Sequence, residues 1–247
     1  MSRTIVITDV HGCADELDAL LDKAAYSISD RVVFLGDAMD RGPKCNEVLN
    51  ILRNVKADCC MGNHDEKHAR YYSHEQKVAK IPGYKNPMTN FAKNEEKFWI
   101  YRSLSPENVA FMRSWQPTVK INENTVGVHA GIIPGIPLEH QKYEILLHVR
   151  WIDNDKRKMV PLKKDFSQPE NTYFWTDRFN EEYNVVFGHS VLDLEKPTIN
   201  KSARGFLTIG LDTGAVFGGR LTAYIPEQEG FISVPSKQYA SRGHNKE

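Results

Sequence analysis

The sequence predicts an α/β fold in which helices flank two packed sheets. Three observations predict it. Apolar strand-like runs alternate with one-sided helical stretches through the first sixty residues, a charged and aromatic excursion follows, and the second half is rich in short strands separated by glycine and proline turns.

Four segments share one pattern, an apolar run that stops at a short polar cluster: TIVITDVHG, RVVFLGDAMDRG, ADCCMGNHDE and TVGVHAG. Between the first three lie ADELDALLDKAA and PKCNEVLNILRNV, whose leucines, valines and alanines recur at three- and four-residue steps, as on one face of a helix. Pro43 suits a first helical turn, where its missing N–H costs nothing. Strands alternating with such helices predict a βαβ beginning and a largely parallel sheet at the N-terminal end. From Asp65 to Gln116, YYSHEQKVAKIPGYKNP reads as a loop-broken helical excursion that ENVAFMRSWQP closes, a helical cap insertion over about 66–117. From Thr118 the strands YNVVFGHS, GFLTIGLDTGAVF, GRLTAYIP and GFISVPS follow. Residues 1–240 are expected to form a single domain and 241–247 a flexible tail.

At 247 residues, one large domain can bury roughly three quarters of its unfolded surface. Hydrophobic residues at 40% and charged residues at 26%, with no run of about 18 apolar residues, predict a soluble chain with no membrane partner. The opening MSRTIVITDV lacks the apolar core and cleavage site of a signal peptide, so the expected location is cytoplasmic. Lysine plus arginine equals aspartate plus glutamate at 32 each, which leaves no net field to draw the chain onto nucleic acid. An anionic substrate must be held locally. Cys13, Cys45, Cys59 and Cys60 lack CxxC spacing, which favours reduced thiols over a disulfide framework or a zinc–thiolate site.

Asp9 and His11 are two residues apart, and in an extended segment alternate side chains share a face and can grip one ion. Asp37, Asn63, His129 and His189 each follow an apolar run, with glycine beside or close to them. Ligands gather outside the carboxyl ends of strands in α/β sheets, so separate strands can bring all six together. Carboxylates, imidazoles and one amide suit manganese, iron or zinc bound without thiolates. Six donors exceed one site's needs. With Asp37 shared, Asp9 and His11 complete one ion while Asn63, His129 and His189 complete the other, a two-metal arrangement suited to phosphate. In the same clusters His64, oriented by Asp40, can protonate a leaving oxygen, and Arg41 can fork onto phosphate oxygens. Arg150 in LLHVRW is the candidate second phosphate arginine.

With TDVHG, GDAMDRG, GNHD, VHAG and FGH in that order, the sequence resembles the calcineurin-like metallophosphoesterases of the serine/threonine phosphatase type, from Thr4 to about Tyr239. The resemblance implies a β-sandwich of two mixed sheets flanked by helices. It also implies the roles above: Asp9, His11, Asp37, Asn63, His129 and His189 as ligands of two divalent ions, manganese before iron, zinc, nickel or magnesium, and His64 with Asp40 as the catalytic pair. FGHSVLDLEKPTI followed by LDTGAVFGGRLTAY and then ISVPS looks like bacterial diadenosine tetraphosphatases and the phosphatase domain of bacterial polynucleotide kinase-phosphatases, and small phage and bacterial protein phosphatases share much of it. Thr8 stands where the family usually has glycine, and FGHS lacks the threonine and proline that often follow. The expected activity is hydrolysis of phosphate monoesters, as in a protein serine/threonine phosphatase. The alternatives are a dinucleoside polyphosphate hydrolase, a polynucleotide 2',3' phosphatase or phosphodiesterase, and a silent metal- or phosphate-binding module. The partner is thus a phosphorylated substrate, a phosphoprotein, a dinucleoside polyphosphate or a nucleic-acid end, with no obligate protein partner evident.

Simpler roles cover other residues. His68, His74, His140, His148 and His244 read as solvated or structural, and Asp15, Glu16, Asp18, Asp65 and Glu66 as helix-start acids. Trp99, Trp115, Trp151 and Trp175, with Tyr71, Tyr72 and Tyr84, read as core or lid packing before nucleobase stacking. The basic stretch 155–164 reads as a solvated loop, and Gly214, Gly218 and Gly219 as tight turns.

Overall fold

The computed structural model describes residues 2–163 and 167–241. The chain opens with β1 (Thr4–Ile7), α1 (Ala14–Lys23), β2 (Arg31–Phe34), α2 (Cys45–Asn54) and β3 (Asp58–Cys59). The excursion holds α3 (Asn63–Lys80), α4 (Thr89–Lys93), α5 (Glu95–Ser103) and α6 (Pro106–Arg113). Then come β4 (Thr118–Asn122), β5 (Thr125–Val128), α7 (Tyr143–His148), β6 (Trp151–Asp153), β7 (Met159–Val160) and β8 (Thr172–Phe174). The chain ends with β9 (Asn184–Phe187), β10 (Thr198–Lys201), β11 (Leu207–Gly210), β12 (Arg220–Ile225) and β13 (Gly230–Pro235).

Two five-stranded mixed sheets form, in the orders β13-β12-β1-β2-β3 and β10-β11-β9-β5-β4. As expected of a βαβ beginning, β1, β2 and β3 are parallel. Period-two alternation assigns each strand's faces. Ile5 and Ile7 of β1 join Leu17, Leu20 and Leu49 of the helices, while Val6 joins Val33, Leu35, Val186 and Ile209 between the sheets. On the far side Val185 and Phe187 pack with Leu146, Ile152 and Trp175. A small sheet, β7-β6-β8, was not anticipated. Its strands are two or three residues long, too short for alternation to show in sequence.

The helical excursion leaves and returns at one place. Met61 N–H donates to Gln116 O at 2.8 Å, and Gln116 N–H to Cys59 O at 3.3 Å. It begins three residues before the expected boundary, because α3 starts at Asn63 inside the GNHD cluster. Its aromatic residues pack on each other, with Tyr71 stacked on Phe91 at 4.4 Å between ring centres. Trp115 and Trp175 are buried and Trp99 is exposed. All four cysteines are free and buried. Gly214 and Gly218 have positive φ, as turn glycines do. Glu16 is more than a helix-start acid: it is buried and accepts from Tyr239 Oη at 3.1 Å, tying down the C-terminal segment. His244, Lys164 of the basic stretch and tail residues 242–247 lie outside the described residues. No described helix is long and apolar enough to cross a membrane.

Asn108, fully buried, fastens α6 to α2: its amide donates to Asn46 Oδ1 at 2.9 Å and Asn50 Oδ1 at 2.8 Å. Asn108→Ala should destabilise the protein by about 1–3 kcal/mol, since two part-buried acceptors lose their donor. Calorimetric melting would show it as a lower Tm.

Candidate metal centre

Each candidate ligand follows a strand end: Asp9 and His11 after β1, Asp37 after β2, Asn63 after β3, His129 after β5 and His189 after β9. Three of those strands belong to one sheet and two to the other. Asp37 Oδ2 lies 3.5 Å from His129 Nε2, and Asp9 Oδ2 accepts the His189 N–H at 2.9 Å, so both sheets end at one place.

Asp9 and His11 do not converge by extended alternation. Their φ angles are +50° and +45°, in the left-handed region, because this segment is a turn rather than a strand. Asp9 N–H donates to Gly36 O at 2.9 Å and His11 N–H to Asp37 O at 2.8 Å, which binds the turn to the next loop. Asp37, Asp40, Arg41 and His189 are also left-handed, at φ +62°, +69°, +71° and +65°. Aspartate and histidine tolerate this region better than most side chains, yet each such residue costs about 1–3 kcal/mol, which the surrounding contacts offset. The carboxylates also need room. A Cβ on Gly188 would lie 1.9 Å from Asp9 Oδ2, and one on Gly62 would lie 2.2 Å from Asp37 Oδ1.

The imidazoles are turned by their outer nitrogens. His11 Nδ1 donates to Met39 O at 2.7 Å, and His129 Nδ1 to Leu35 O at 2.9 Å. Their Nε2 atoms therefore face inward, His11 at 3.4 Å and His129 at 3.5 Å from Asp37 Oδ2. Burial pushes His11, His129 and His189 below the usual imidazole range, the Arg41 charge adding to it at His11 and the Arg150 charge at His189. Neutral rings present lone pairs. His129 Nε2 meets Asn63 Oδ1 at 3.0 Å, acceptor against acceptor, and His189 Nε2 is buried without a hydrogen-bond partner among the described residues. Burial, then the charges of Asp212 and Asp37, push the Asp9 carboxyl up. Convergent lone pairs and crowded carboxylates are what a divalent cation relieves, so the donor set fits metal ions.

Donor atoms of Asp37, His129 and His189 lie within 4.8 Å of one another, and so do those of His11, Asp37 and His64. Asp37 belongs to both groups. Burial opposes its ionisation, while the His64 backbone N–H, donating to Oδ1 at 3.0 Å, favours it. Asp9 stands 4.0 Å from His11 Nε2. Thr8, at the position where glycine is usual, donates to Asp9 Oδ2 at 2.5 Å.

His64 Nδ1 lies 2.6 Å from Asp40 Oδ2. Arg41 Nη1 donates to His11 Nε2 at 2.6 Å, its guanidinium over the Phe217 ring. Arg150 reaches the same place, donating to His189 O at 2.7 Å, and burial lowers it to about 10, where it stays charged at neutral pH. The structure thus brings together every residue the sequence assigned to the site.

Sequence reading missed others. Asp65 is no ordinary helix-start acid: it is fully buried and accepts the N–H groups of Asp37, Ala38, Met39 and Gly62 at 2.7, 2.9, 3.2 and 3.1 Å. Burial and the Asp37 charge push its carboxyl up, and these donors pull it back. Asp212, in a segment read only for its glycines, is buried beside Arg41 and Arg150 and raised to about 6 by burial. It follows the end of β11, the pattern that marked the candidate ligands. His68 is fully buried against Asp40, and His148 lies 6.3 Å from the His189 ring.

Residues 2–218 match the family of calcineurin-like phosphoesterases. The chain is 30% identical to the asymmetrical bis(5'-nucleosyl)-tetraphosphatase PrpE of Oceanobacillus iheyensis, over 94% of this chain and 92% of the relative. It is 25% identical to the symmetrical bis(5'-nucleosyl)-tetraphosphatase of Baumannia cicadellinicola, over 95% and 93%. Among solved structures, one provisionally described as a diadenosine tetraphosphatase superposes with a TM-score of 0.75 at 23% identity, over 96% of this chain and 94% of that one. At that identity the likeness speaks for the fold alone.

Ions that bind only the folded chain should raise its Tm as manganese is added. Asp37→Asn should abolish that rise, and an undiminished rise in the variant would place the ions elsewhere. Asp65→Ala leaves buried N–H groups without an acceptor and should cost roughly 3 kcal/mol or more, seen as an earlier denaturant midpoint.

Proposed function

Because the chain belongs to the calcineurin-like phosphoesterases, we propose that this hydrolase of phosphoric esters acts on dinucleoside polyphosphates, with two divalent ions held by Asp9, His11, Asp37, Asn63, His129 and His189. The observation behind it is the sharing of Asp37 between two groups of converging donors. Sequence alone ranks phosphomonoesters first. The relatives' names, spanning nearly the whole chain, favour the dinucleotide reading instead. Bound divalent ions would supply Lewis-acid polarisation of phosphoryl oxygens and a nucleophile drawn from water at neutral pH. Manganese is first in order because oxygen and imidazole donors without thiolate suit it, with iron, zinc, nickel and magnesium as further candidates.

The chain's own groups do the rest. Arg41 and Arg150 offer forked N–H donors to phosphate oxygens. His64, its Nδ1–H given to Asp40, keeps Nε2 for a proton that passes to the departing oxygen as the P–O bond breaks. The helical insertion closes over one side of the centre, where Lys97 of α5 brings Nζ to 3.7 Å from Asp40 Oδ2. A cytoplasmic setting accords with the free thiols.

Nucleotide products separated after incubation of manganese-loaded protein with diadenosine tetraphosphate, a phosphopeptide and a 2',3'-cyclic nucleotide would test the substrate. The dinucleotide should turn over fastest. Faster phosphate release from the phosphopeptide would restore the protein phosphatase reading. His64→Asn should lower kcat on the preferred substrate about 10²–10⁴-fold, the usual worth of a positioned acid.

A further inference from the structure

Asp40 is held by two imidazoles. His64 Nδ1 lies 2.6 Å from Oδ2, and His68 Nε2 lies 2.7 Å from the other oxygen, Oδ1. The two histidines are four residues apart on α3, one above the other on a helix face. His68 is fully buried, edge-on to Phe91 at 4.9 Å, and its Nδ1 has no hydrogen-bond partner among the described residues. An apolar side chain would fill that space without leaving a buried nitrogen unpaired, so packing does not account for the imidazole. Its one polar contact among the described residues is Asp40.

Burial opposes the Asp40 charge, but His68 and His64 together hold the carboxyl well below its usual range. An ionised carboxylate only accepts, so both rings donate to it. One donor would leave the group free to turn about its Cβ–Cγ bond. Two donors on different oxygens fix its plane, and with it the direction in which Oδ2 meets His64. Lys97 Nζ, 3.7 Å from Oδ2, adds a cationic group from α5.

We propose that His68 is a positioning residue of the reaction: it clamps Asp40 Oδ1 so that Oδ2 holds the His64 ring in line with the leaving oxygen. The inference rests on His64 acting as the proton donor. His68 itself touches no reacting atom.

The test compares wild-type, His68→Leu, His68→Gln and His64→Asn proteins, full length and manganese-loaded, on phenyl phosphate and 4-nitrophenyl phosphate. Phenol is a poor leaving group and needs the proton, while 4-nitrophenol leaves readily. His68→Leu should lower kcat on the phenyl ester about tenfold, as loss of a supporting hydrogen bond does, while sparing the nitrophenyl ester and KM. Glutamine, whose amide can donate to Oδ1, should recover most of the loss. In histidine-labelled protein loaded with diamagnetic zinc in place of manganese, the His64 Nδ1–H resonance should shift in His68→Leu and return in His68→Gln. Equal losses on both esters, or an unmoved resonance, would show a merely structural residue and overturn the inference. If His64→Asn leaves the ratio of the two esters unchanged, the proton-donor reading falls and this inference with it. If that ratio changes in His64→Asn but not in His68→Leu, only the role of His68 falls. Should His68→Leu not fold, His68→Asn, polar but too short to span to Oδ1, takes its place with the same outcomes.

Discussion

A buried anion at Asp37 is the constraint around which the rest is arranged. Its carboxylate sits where two sheets end, with imidazoles from both sheets facing one oxygen, Oδ2, at 3.4 and 3.5 Å. Removing such a charge from water is costly unless positive or donor groups surround it. The His64 N–H donates to Oδ1, and the Asp65 carboxylate receives the backbone N–H groups of residues 37–39, fixing the loop that carries it. The left-handed backbone of the site residues belongs to the same economy of space, because only sharp turns aim so many short side chains at one point.

Around this centre the polar groups work in chains rather than pairs. Backbone carbonyls of Leu35 and Met39 hold the outer nitrogens of His129 and His11, so each ring turns a lone pair inward. Asp40 does the same for His64 from outside the ligand set. The arginines differ in footing: Arg41 rests over Phe217, while Arg150 is fixed by the His189 carbonyl. Two guanidiniums thus bring positive charge to the centre from separate segments, one beside His11 and one beside His189. Their charge is balanced locally, by buried Asp212 among others, which accords with a chain of zero net charge.

The helical insertion grows directly out of the centre. Asn63 and His64 open α3, so the same helix presents two site residues and carries the chain away through α4 and α5 before α6 returns along α2. Substrate choice among phosphoric esters depends on such walls more than on the ligands, because the ligands meet only the phosphoryl group.

The strand-end clusters and the parallel N-terminal start were legible in the sequence, and so were the candidate ligands that the structure brings to one place, because each strand ends in a polar group that period-two burial cannot explain. What the sequence could not give was the company those residues keep. It marked Asp65 as a helix-start acid and His68 as a bland histidine, since their partners in the loop after β2 lie 26 to 28 residues away and announce themselves by no spacing. It also placed Asp9 and His11 on an extended face, whereas the turn that aims them depends on hydrogen bonds to the loop after β2. Local pattern determines which side chains are available at a strand end. Only the packing of two sheets decides which way they point, because hydrogen bonds between segments distant in sequence form once the core has brought them together.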